Sequence, residues 1–225
     1  MRGYDLCVNY RADAAAAEAV VRDARALGVA AIAVQADVSL ESDVMRLFEA
    51  VDAQLGTLKL LVNNAGILET QMRVDQMDAG RITRVLAANV TGSLLCAREA
   101  VLRMSTRHGG GGGAIVNVSS AAARLGGPGE YVDYAASKGA IDSFTIGLAK
   151  EVAGEGIRVN AVRPGIIYTD IHAAGGEPGR VDRLKSAVPM NRGGQPEEVA
   201  EVILWLGSEQ ASYVTGSFVE AAGGR

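Results

Sequence analysis

Short apolar runs alternate with amphipathic stretches from one end of this chain to the other, and no feature constrains its fold more. The pattern is typical of βα units around a parallel sheet and not of two separate domains. We therefore expect an α/β fold with three layers, in which residues 1–225 form one domain with helices on both faces of a parallel sheet.

Apolar periodicity and turn residues predict the individual elements. Strands are expected at 6–10, 30–35, 58–62, 114–119, 157–162 and 217–219, and helices at 13–27, 39–54, 78–107, 131–152 and 196–206. Ser39 is the expected N-cap of the second helix, with Asp43 in its first turn. The strand at 58–62 shows no alternation, so we expect it to be buried on both faces. The glycine run 109–113 precedes a strand and not a helix N-terminus, which favours a flexible connector over a phosphate-binding loop.

Composition excludes several classes of protein. With 225 residues, 48% hydrophobic and 21% charged, the chain can bury a sizeable core, which excludes disorder, collagen-like repeats and a small disulfide scaffold. The net charge of -4 gives no attraction for nucleic acid or anionic lipid. Residues 1–6 lack the order of a secretory signal, and no apolar run approaches the roughly 18 residues of a membrane span.

We therefore expect a cytoplasmic protein with no nucleic-acid or membrane partner. Cys7 and Cys96 lie far apart in apolar surroundings, without metal-ligand spacing. They are expected to be buried thiols in a reducing compartment, and no metal site is predicted.

Tyr134 and Lys138 are four residues apart in the sequence Tyr-Ala-Ala-Ser-Lys. On a helix they share a face, about 6 Å apart. An ammonium group beside a phenol stabilises the phenolate, which lowers the phenol pKa toward the pH at which acid–base catalysis is efficient. An exposed helix pair is the alternative interpretation of this spacing.

Polar residues follow two of the predicted strands, where open α/β sheets bind ligands. Ser120 can reach a bound carbonyl from there, or can serve as a turn or cap residue. The segment 63–66, Asn-Asn-Ala-Gly, can tie loops together and let a ligand approach the backbone, or can be an ordinary turn. Asn89 lies in an apolar helical stretch, where its amide either makes a core hydrogen bond or holds a water for proton relay.

These motifs, in this order, resemble those of the short-chain dehydrogenase/reductase family, and the resemblance runs from about Leu6 to the C-terminus. The similarity is greatest to the bacterial carbonyl reductases grouped with glucose dehydrogenase-like and 3-oxoacyl-carrier-protein reductase-like members. The shared marks are Asp37-Val38, Asn63-Asn64-Ala65-Gly66, Asn89, Ser120, Tyr134 with Lys138, Pro164-Gly165 with Thr169, Val214-Thr215-Gly216, and Gly223-Gly224.

The resemblance implies a Rossmann-like fold and an NAD(P)-dependent oxidoreductase that interconverts a carbonyl and a secondary alcohol by hydride transfer. It implies that Tyr134 exchanges the proton with the substrate oxygen, that Ser120 hydrogen-bonds this oxygen, and that Asn89 anchors the relay water. Lys138 would lower the tyrosine pKa and hold the nicotinamide ribose. Tyr131, one turn earlier, has Ala135 four residues on and so lacks the cation.

The resemblance also implies cofactor contacts along the chain. The residues concerned are Asp37 and Val38 at the adenine, Asn64, Ala65 and Gly66 at the adjoining ribose and backbone, and Ile167 at the nicotinamide amide. Tyr134, Lys138, Pro164, Gly165 and Thr169 are further cofactor contacts. NAD enzymes usually carry an acid at the end of the strand 6–10, for the ribose 2′-hydroxyl. This chain has Arg11 there, which suits a 2′-phosphate and predicts NADP over NAD, unless Arg11 is a solvated loop residue.

The family begins with a strand, a glycine-rich turn and a helix, whereas this sequence starts near the end of that helix, at Arg2-Gly3-Tyr4. We expect the missing strand to leave two strand edges unpaired, at the strands near Leu6 and Leu58. The sequence is thus interpreted as an N-terminally truncated reductase. The alternatives are a catalytically impaired or non-enzymatic relative and, less in keeping with the short C-terminal region, a sugar-nucleotide epimerase.

The segment 168–192, with Gly175, Gly176, Pro178 and Gly179, is expected to be a mobile lid that sets substrate specificity. Ketone, aldehyde, sugar and acyl thioester substrates all stay open. The resemblance implies a homotetramer, and small residues on the tyrosine helix, namely Ala135, Ala136, Gly139 and Ala140, would let a partner helix approach, although packing within one subunit explains them equally well.

Overall fold

The computed structural model describes residues 3–225. Met1 and Arg2, on which part of the N-terminal interpretation rested, lie outside the described residues. The strands are β1 Leu6–Tyr10, β2 Ala31–Gln35, β3 Leu60–Asn63, β4 Gly113–Val118, β5 Ile157–Pro164 and β6 Phe218–Ala221. The helices are α1 Ala14–Ala26, α2 Glu41–Gln54, α3 Ala79–Leu86, α4 Gly92–Met104, α5 Ala122–Leu125, α6 Val132–Val152, α7 Ile171–Ala174, α8 Arg180–Leu184 and α9 Pro196–Gly207.

All strand pairs are parallel, and the described strands form two sheets. One sheet has the order β1-β2 and the other β3-β4-β5-β6. Within the described residues β1 and β3 are therefore edge strands, as expected. The prediction that the third strand is buried on both faces is wrong: Val62 is 36% exposed, because β3 has a strand neighbour on one side alone.

Helices pack on both faces of the larger sheet. Successive side chains of a strand point to opposite faces. On β4, Ile115 belongs to the core beneath α2, α4 and α6, whereas Val118 packs with Val199 of α9. On β5, Val159 belongs to the same core as Ile115, whereas Val162 packs with Val118 and Val199 on the other face. The strand order with helices on both sides gives the α/β, Rossmann-like fold expected from the sequence.

The structure differs from the sequence expectation at one helix cap and adds detail at one loop. Ser39 does not cap α2; its hydroxyl donates to Asp37, and Leu40 occupies the N-cap without a side-chain hydrogen bond. The glycine connector before β4, expected to be flexible, is closely packed against backbone at two of its positions. A Cβ on Gly110 would lie 2.4 Å from the Arg103 carbonyl oxygen, and one on Gly112 would lie 2.6 Å from the Gly156 carbonyl oxygen.

The stretch between β3 and β4 contains one long, broken helix, Ala79–Met104. Between α3 and α4, residues Ala87–Thr91 form a π-helical turn, a feature frequent at functional sites. The run Ala79–Met104 is apolar and long enough to cross a membrane by length and composition, contrary to the expectation from the sequence. Half of its most apolar window is buried inside the fold, and a core helix passes the same test.

Candidate active site

A cleft of about 1330 Å³ opens at the carboxyl ends of β3, β4 and β5. Parallel strands bring the loops that follow them to one edge of the sheet, which is where such folds bind ligands. The proposed site residues that line this cleft are Arg11, Asn64, Ala65, Gly66, Ser120, Tyr134, Lys138, Pro164, Gly165, Ile167 and Thr169. Residues far apart in sequence thus share one cavity.

Tyr134 and Lys138 lie one turn apart near the start of α6, as the spacing predicts. The Lys138 Nζ atom is 5.6 Å from the centre of the Tyr134 ring. The same nitrogen donates a 2.8 Å hydrogen bond to the Val118 carbonyl at the end of β4. The lysine therefore lies over the face of the ring, and the strand end holds its ammonium group.

The pKa values of this pair differ from the sequence expectation. Removal from solvent raises the Tyr134 pKa above its usual 10.0, and a hydrogen bond with Ser120 opposes this rise. Burial lowers the pKa of Lys138 from 10.5 to about 8, despite the attraction of Asp142. The hydrogen bond from Ser120 thus favours the phenolate of Tyr134, and the ammonium of Lys138 loses its proton at a lower pH than a solvated lysine does.

Asn89 is fully buried in the π-helical turn and does not line the cleft. Its Nδ2 donates to the Ile67 carbonyl at 3.0 Å and to the Ser137 hydroxyl at 3.1 Å, and its Oδ1 accepts from the Ile67 N–H at 2.7 Å. Gly66 lies beside it, because a Cβ there would be 3.3 Å from Asn89 Oδ1 and 3.6 Å from Lys138 Nζ. The side chain of Asn89 thus joins the loop after β3 to the tyrosine helix.

Asp37 and Val38 do not lie among the residues that line the cleft. The Asp37 carboxylate accepts hydrogen bonds from the Ser39 N–H and hydroxyl, at 2.9 and 2.7 Å. Val38 packs against Gly92, where a Cβ would lie 2.7 Å from the valine side chain.

Tyr131 is buried, and its hydroxyl donates to the Gly175 carbonyl at 3.2 Å. Burial raises its pKa. The Tyr131 hydroxyl is thus bonded to backbone, and no lysine follows it four residues later.

Charged side chains connect the lid segment 168–192 to the cleft wall. Arg180 pairs with Glu130 at 2.5 Å and lies over the Tyr131 ring at 4.9 Å. Glu177 accepts hydrogen bonds from Gln71 at 2.6 Å and also from Arg183. Ion pairs therefore hold the middle of the segment 168–192, which the sequence predicts to be a lid, against the cleft wall.

Sequence reasoning missed several residues that the fold brings to the site. Ser137 donates to the Tyr134 carbonyl at 2.7 Å and accepts from Asn89; its place between Tyr134 and Lys138 was the available signal. Arg81 and Asp133 form a buried ion pair beside Tyr134, 52 residues apart in sequence, with no local signal. Within residues 3–225 no cluster of three His, Cys, Asp or Glu side chains could hold a metal ion.

The chain matches known proteins along its whole length. A sequence profile described as enoyl-(acyl carrier protein) reductase matches residues 1–225. The uncharacterized oxidoreductase YgfF of Escherichia coli (strain K12) is 60% identical over 223 residues, which are 99% of this chain and 90% of that protein. The 3-oxoacyl-[acyl-carrier-protein] reductase FabG of Staphylococcus aureus (strain Mu50) is 34% identical over 222 residues, covering 99% of this chain and 88% of that protein.

A solved structure has the same fold. The gluconate 5-dehydrogenase from Burkholderia cenocepacia J2315, in complex with NADP and tartrate, superposes with a TM-score of 0.86 at 29% identity, over 97% of this chain and 84% of that one.

Proposed function

We propose, from the premise that this chain belongs to the short-chain dehydrogenase/reductase family of oxidoreductases, that it reduces a carbonyl to a secondary alcohol, or the reverse, with NADP(H). The observation that carries the proposal is the meeting of Ser120, Tyr134 and Lys138 in one cleft with the backbone segments 64–66 and 164–169. A small-molecule carbonyl or alcohol is the proposed substrate.

The cleft fits a dinucleotide by its volume and by the glycines along it. At Gly66 a Cβ would come within 3.6 Å of both Asn89 Oδ1 and Lys138 Nζ. The residues proposed to hold the cofactor are Arg11, Asn64, Ala65, Gly66, Tyr134, Lys138, Pro164, Gly165, Ile167 and Thr169, with Asp37 and Val38 at the far end. The bound nicotinamide would supply or accept the hydride.

The chain's own residues move the proton and orient the substrate. In the direction of reduction, the Tyr134 hydroxyl donates its proton to the substrate oxygen, which the Ser120 hydroxyl also hydrogen-bonds. A charged Lys138 stabilises the phenolate that remains. Asn89 holds the loop at Ile67, which keeps Gly66 close to Lys138, and is the proposed anchor of the relay water.

The proposed preference for NADP rests on Arg11. This exposed residue follows β1 and lines the cleft, where its guanidinium can meet a 2′-phosphate. The NADP-bound gluconate 5-dehydrogenase supports the same choice.

Three further features complete the proposal. Residues 1–225 form a single dehydrogenase domain, the protein works in the cytoplasm, and the chain assembles into a homotetramer. The exposed Ala136 and the open space at Gly139 on α6 support close approach of a second copy.

NADPH consumption with a panel of ketones, aldehydes, sugars and acyl thioesters tests the function, and a fluorescence titration of NADPH measures binding separately. Tyr134→Phe should lower kcat at least a hundredfold with NADPH binding intact, since the proton donor is lost. Tyr213→Phe, at a fully exposed position, is the matched control. Equal losses from Tyr131→Phe and Tyr134→Phe would overturn the assignment of the donor, and failure to bind NADPH would overturn the reductase proposal.

A further inference from the structure

Arg81 and Asp133 form an ion pair in the interior, immediately before Tyr134. Their side chains are 4% and 3% exposed. Arg81 Nε donates to Asp133 Oδ2 at 2.7 Å, and Nη2 lies 3.4 Å from Oδ1. The free energy needed to remove two charges from water usually exceeds the free energy gained from their attraction. Stability alone therefore does not explain a buried pair of this kind.

Asp133 holds the backbone of Tyr134. The residue lies in the first turn of α6, where backbone N–H groups have no partner within the helix. Its Oδ1 accepts a 2.9 Å hydrogen bond from the Tyr134 N–H. The carboxylate therefore fixes the first turn of the helix at the residue that carries the phenol.

Arg81 holds the opposite wall of the cleft. Its Nη1 donates to the Thr70 carbonyl at 2.5 Å, and the neighbouring Leu68 and Glu69 line the cleft. A second link lies close by, because the Met72 N–H donates to the Glu130 carbonyl at 3.0 Å. One guanidinium thus connects α3, the loop after β3 and the start of α6.

This connection runs beside the one made by Asn89. Asn89 bonds the loop at Ile67 and α6 at Ser137, whereas Arg81 bonds the loop at Thr70 and α6 at Asp133. Since Asp133 and Ser137 are one helical turn apart, the two links flank Tyr134 on α6. Rotation or sliding of the tyrosine helix against the loop would break both.

We propose that Arg81 and Asp133 are positioning residues for the reaction, which fix the distance and angle of the Tyr134 phenol relative to the cleft wall. The inference rests on the proposed function. A planar, five-donor guanidinium suits this role because it can hold a carboxylate and a carbonyl at once in fixed directions. The pair does not touch the reacting atoms and acts through Tyr134 and the loop 67–72.

The test compares wild type with Arg81→Met/Asp133→Leu, which removes both charges and leaves neither one unpaired. We expect at least a tenfold fall in kcat, with KM for NADPH within threefold of wild type. Hydrogen exchange should quicken in the three segments that the pair connects, 67–72, 79–86 and 131–138, and nowhere else. Arg103→Met is the matched control, since Arg103 pairs with Glu99 on the same broken helix, away from the cleft, and should leave kcat within twofold.

Arg81→Lys gives a second reading if the double variant does not fold. Lysine keeps the charge but cannot hold the Asp133 carboxylate and the Thr70 carbonyl at once in fixed directions. We therefore expect a three- to tenfold fall in kcat and faster exchange at 67–72, with Tm within a few degrees of wild type. Wild-type kcat and exchange in either folded variant would overturn the proposal, as would an equal loss in Arg103→Met. A wild type that reduces no carbonyl would instead overturn the proposed function, and the exchange measurement would still decide the positioning role.

Discussion

Lys138 Nζ lies 5.6 Å from the centre of the Tyr134 ring and donates its hydrogen bond to the Val118 carbonyl, not to the phenol oxygen. The lysine therefore joins the tyrosine helix to the end of β4. Burial lowers its pKa to about 8, because the site is far from water and the attraction of Asp142 compensates only in part. This one group couples the chemistry of the site to the stability of the fold.

The lowered pKa of Lys138 predicts how stability depends on pH. Between pH 8 and 10.5 the unfolded chain holds this proton more tightly than the folded chain, so the free energy of unfolding rises with pH across that window. Below pH 8 the folded state bears the full cost of a buried ammonium, at most about 3 kcal/mol. Lys138→Met removes this cost but also loses one hydrogen bond. Its free energy of unfolding at pH 7 should therefore be about 1–2 kcal/mol higher than that of wild type.

Urea unfolding at pH 7, 9 and 10.5 measures this difference, which should shrink as the pH rises. Lys150→Met, at an exposed position of the same helix, is the control and should change stability by less than about 0.5 kcal/mol. A difference between wild type and Lys138→Met that is the same at all three pH values would contradict the argument.

The packing of Gly66 predicts a loss of activity without a loss of fold. In Gly66→Ala the new methyl lies 3.3 Å from Oδ1 of Asn89, a side chain that three hydrogen bonds hold in place, and 3.6 Å from Lys138 Nζ. The contact with Lys138 is of ordinary length, but Asn89 must move by a few tenths of an ångström. We expect kcat/KM to fall about tenfold, which is about 1.4 kcal/mol of transition-state stabilisation, while Tm falls by no more than a few degrees.

Steady-state kinetics and thermal unfolding measure the two effects. Gly154→Ala is the matched control, because a methyl there meets nothing within 4 Å. Wild-type kinetics in Gly66→Ala would show that this contact has no bearing on catalysis.

The sequence predicted the strands and helices well because each has a strong local pattern. Asp13 caps α1 and Gly28 follows it with a φ of +86°, so both ends of that helix were readable from single residues. The cap of α2 was not, because the side chain of Asp43 bonds the Asp37 N–H and Ser39 bonds Asp37, and both contacts need the folded loop. Which of several neighbouring polar residues hydrogen-bond each other leaves no periodic pattern in the sequence.

The same distinction holds for the site. The spacing of Tyr134 and Lys138 is a property of one helix and was predictable. The direction of the Tyr134 pKa was not, because it depends on how far the cleft removes the phenol from water. The link from Arg81 to Asp133 was missed because two distant helices meet only after the core has formed.

The position of Arg11 predicts a switch of cofactor preference. Arg11→Asp places a like charge where the 2′-phosphate of NADPH is proposed to bind and a hydrogen-bond acceptor where NADH has a hydroxyl. We expect kcat/KM for NADPH to fall at least tenfold and that for NADH to change by less than threefold. Arg22→Asp makes the same change of charge on the exposed face of α1 and should alter neither value. An unchanged ratio of NADPH to NADH would exclude Arg11 from the phosphate site.

The ion pairs of Glu177 predict how the proposed lid, residues 168–192, responds to one substitution. The Glu177 carboxylate accepts from Gln71, Arg180 and Arg183, and the hydrogen bond from Arg183 does most to lower its pKa to about 2. Its pairing is therefore present above its usual pKa of 4.5 and is lost only as the pH falls toward 2.

Glu177→Gln removes the negative charge on which the two arginines converge, while Glu130 still pairs with Arg180. We expect the lid to open more often, so that trypsin at pH 8 cleaves after Arg180 or Arg183 at least threefold faster and KM for the carbonyl substrate rises at least threefold. Tm should stay within about 2 °C of wild type, because these pairs are partly exposed and each contributes about 1 kcal/mol or less. Glu18→Gln on the exposed face of α1 is the control. Equal cleavage rates in wild type and Glu177→Gln would mean that the lid is held by the packing of Gly175 against Leu68 and Tyr131, and not by charge.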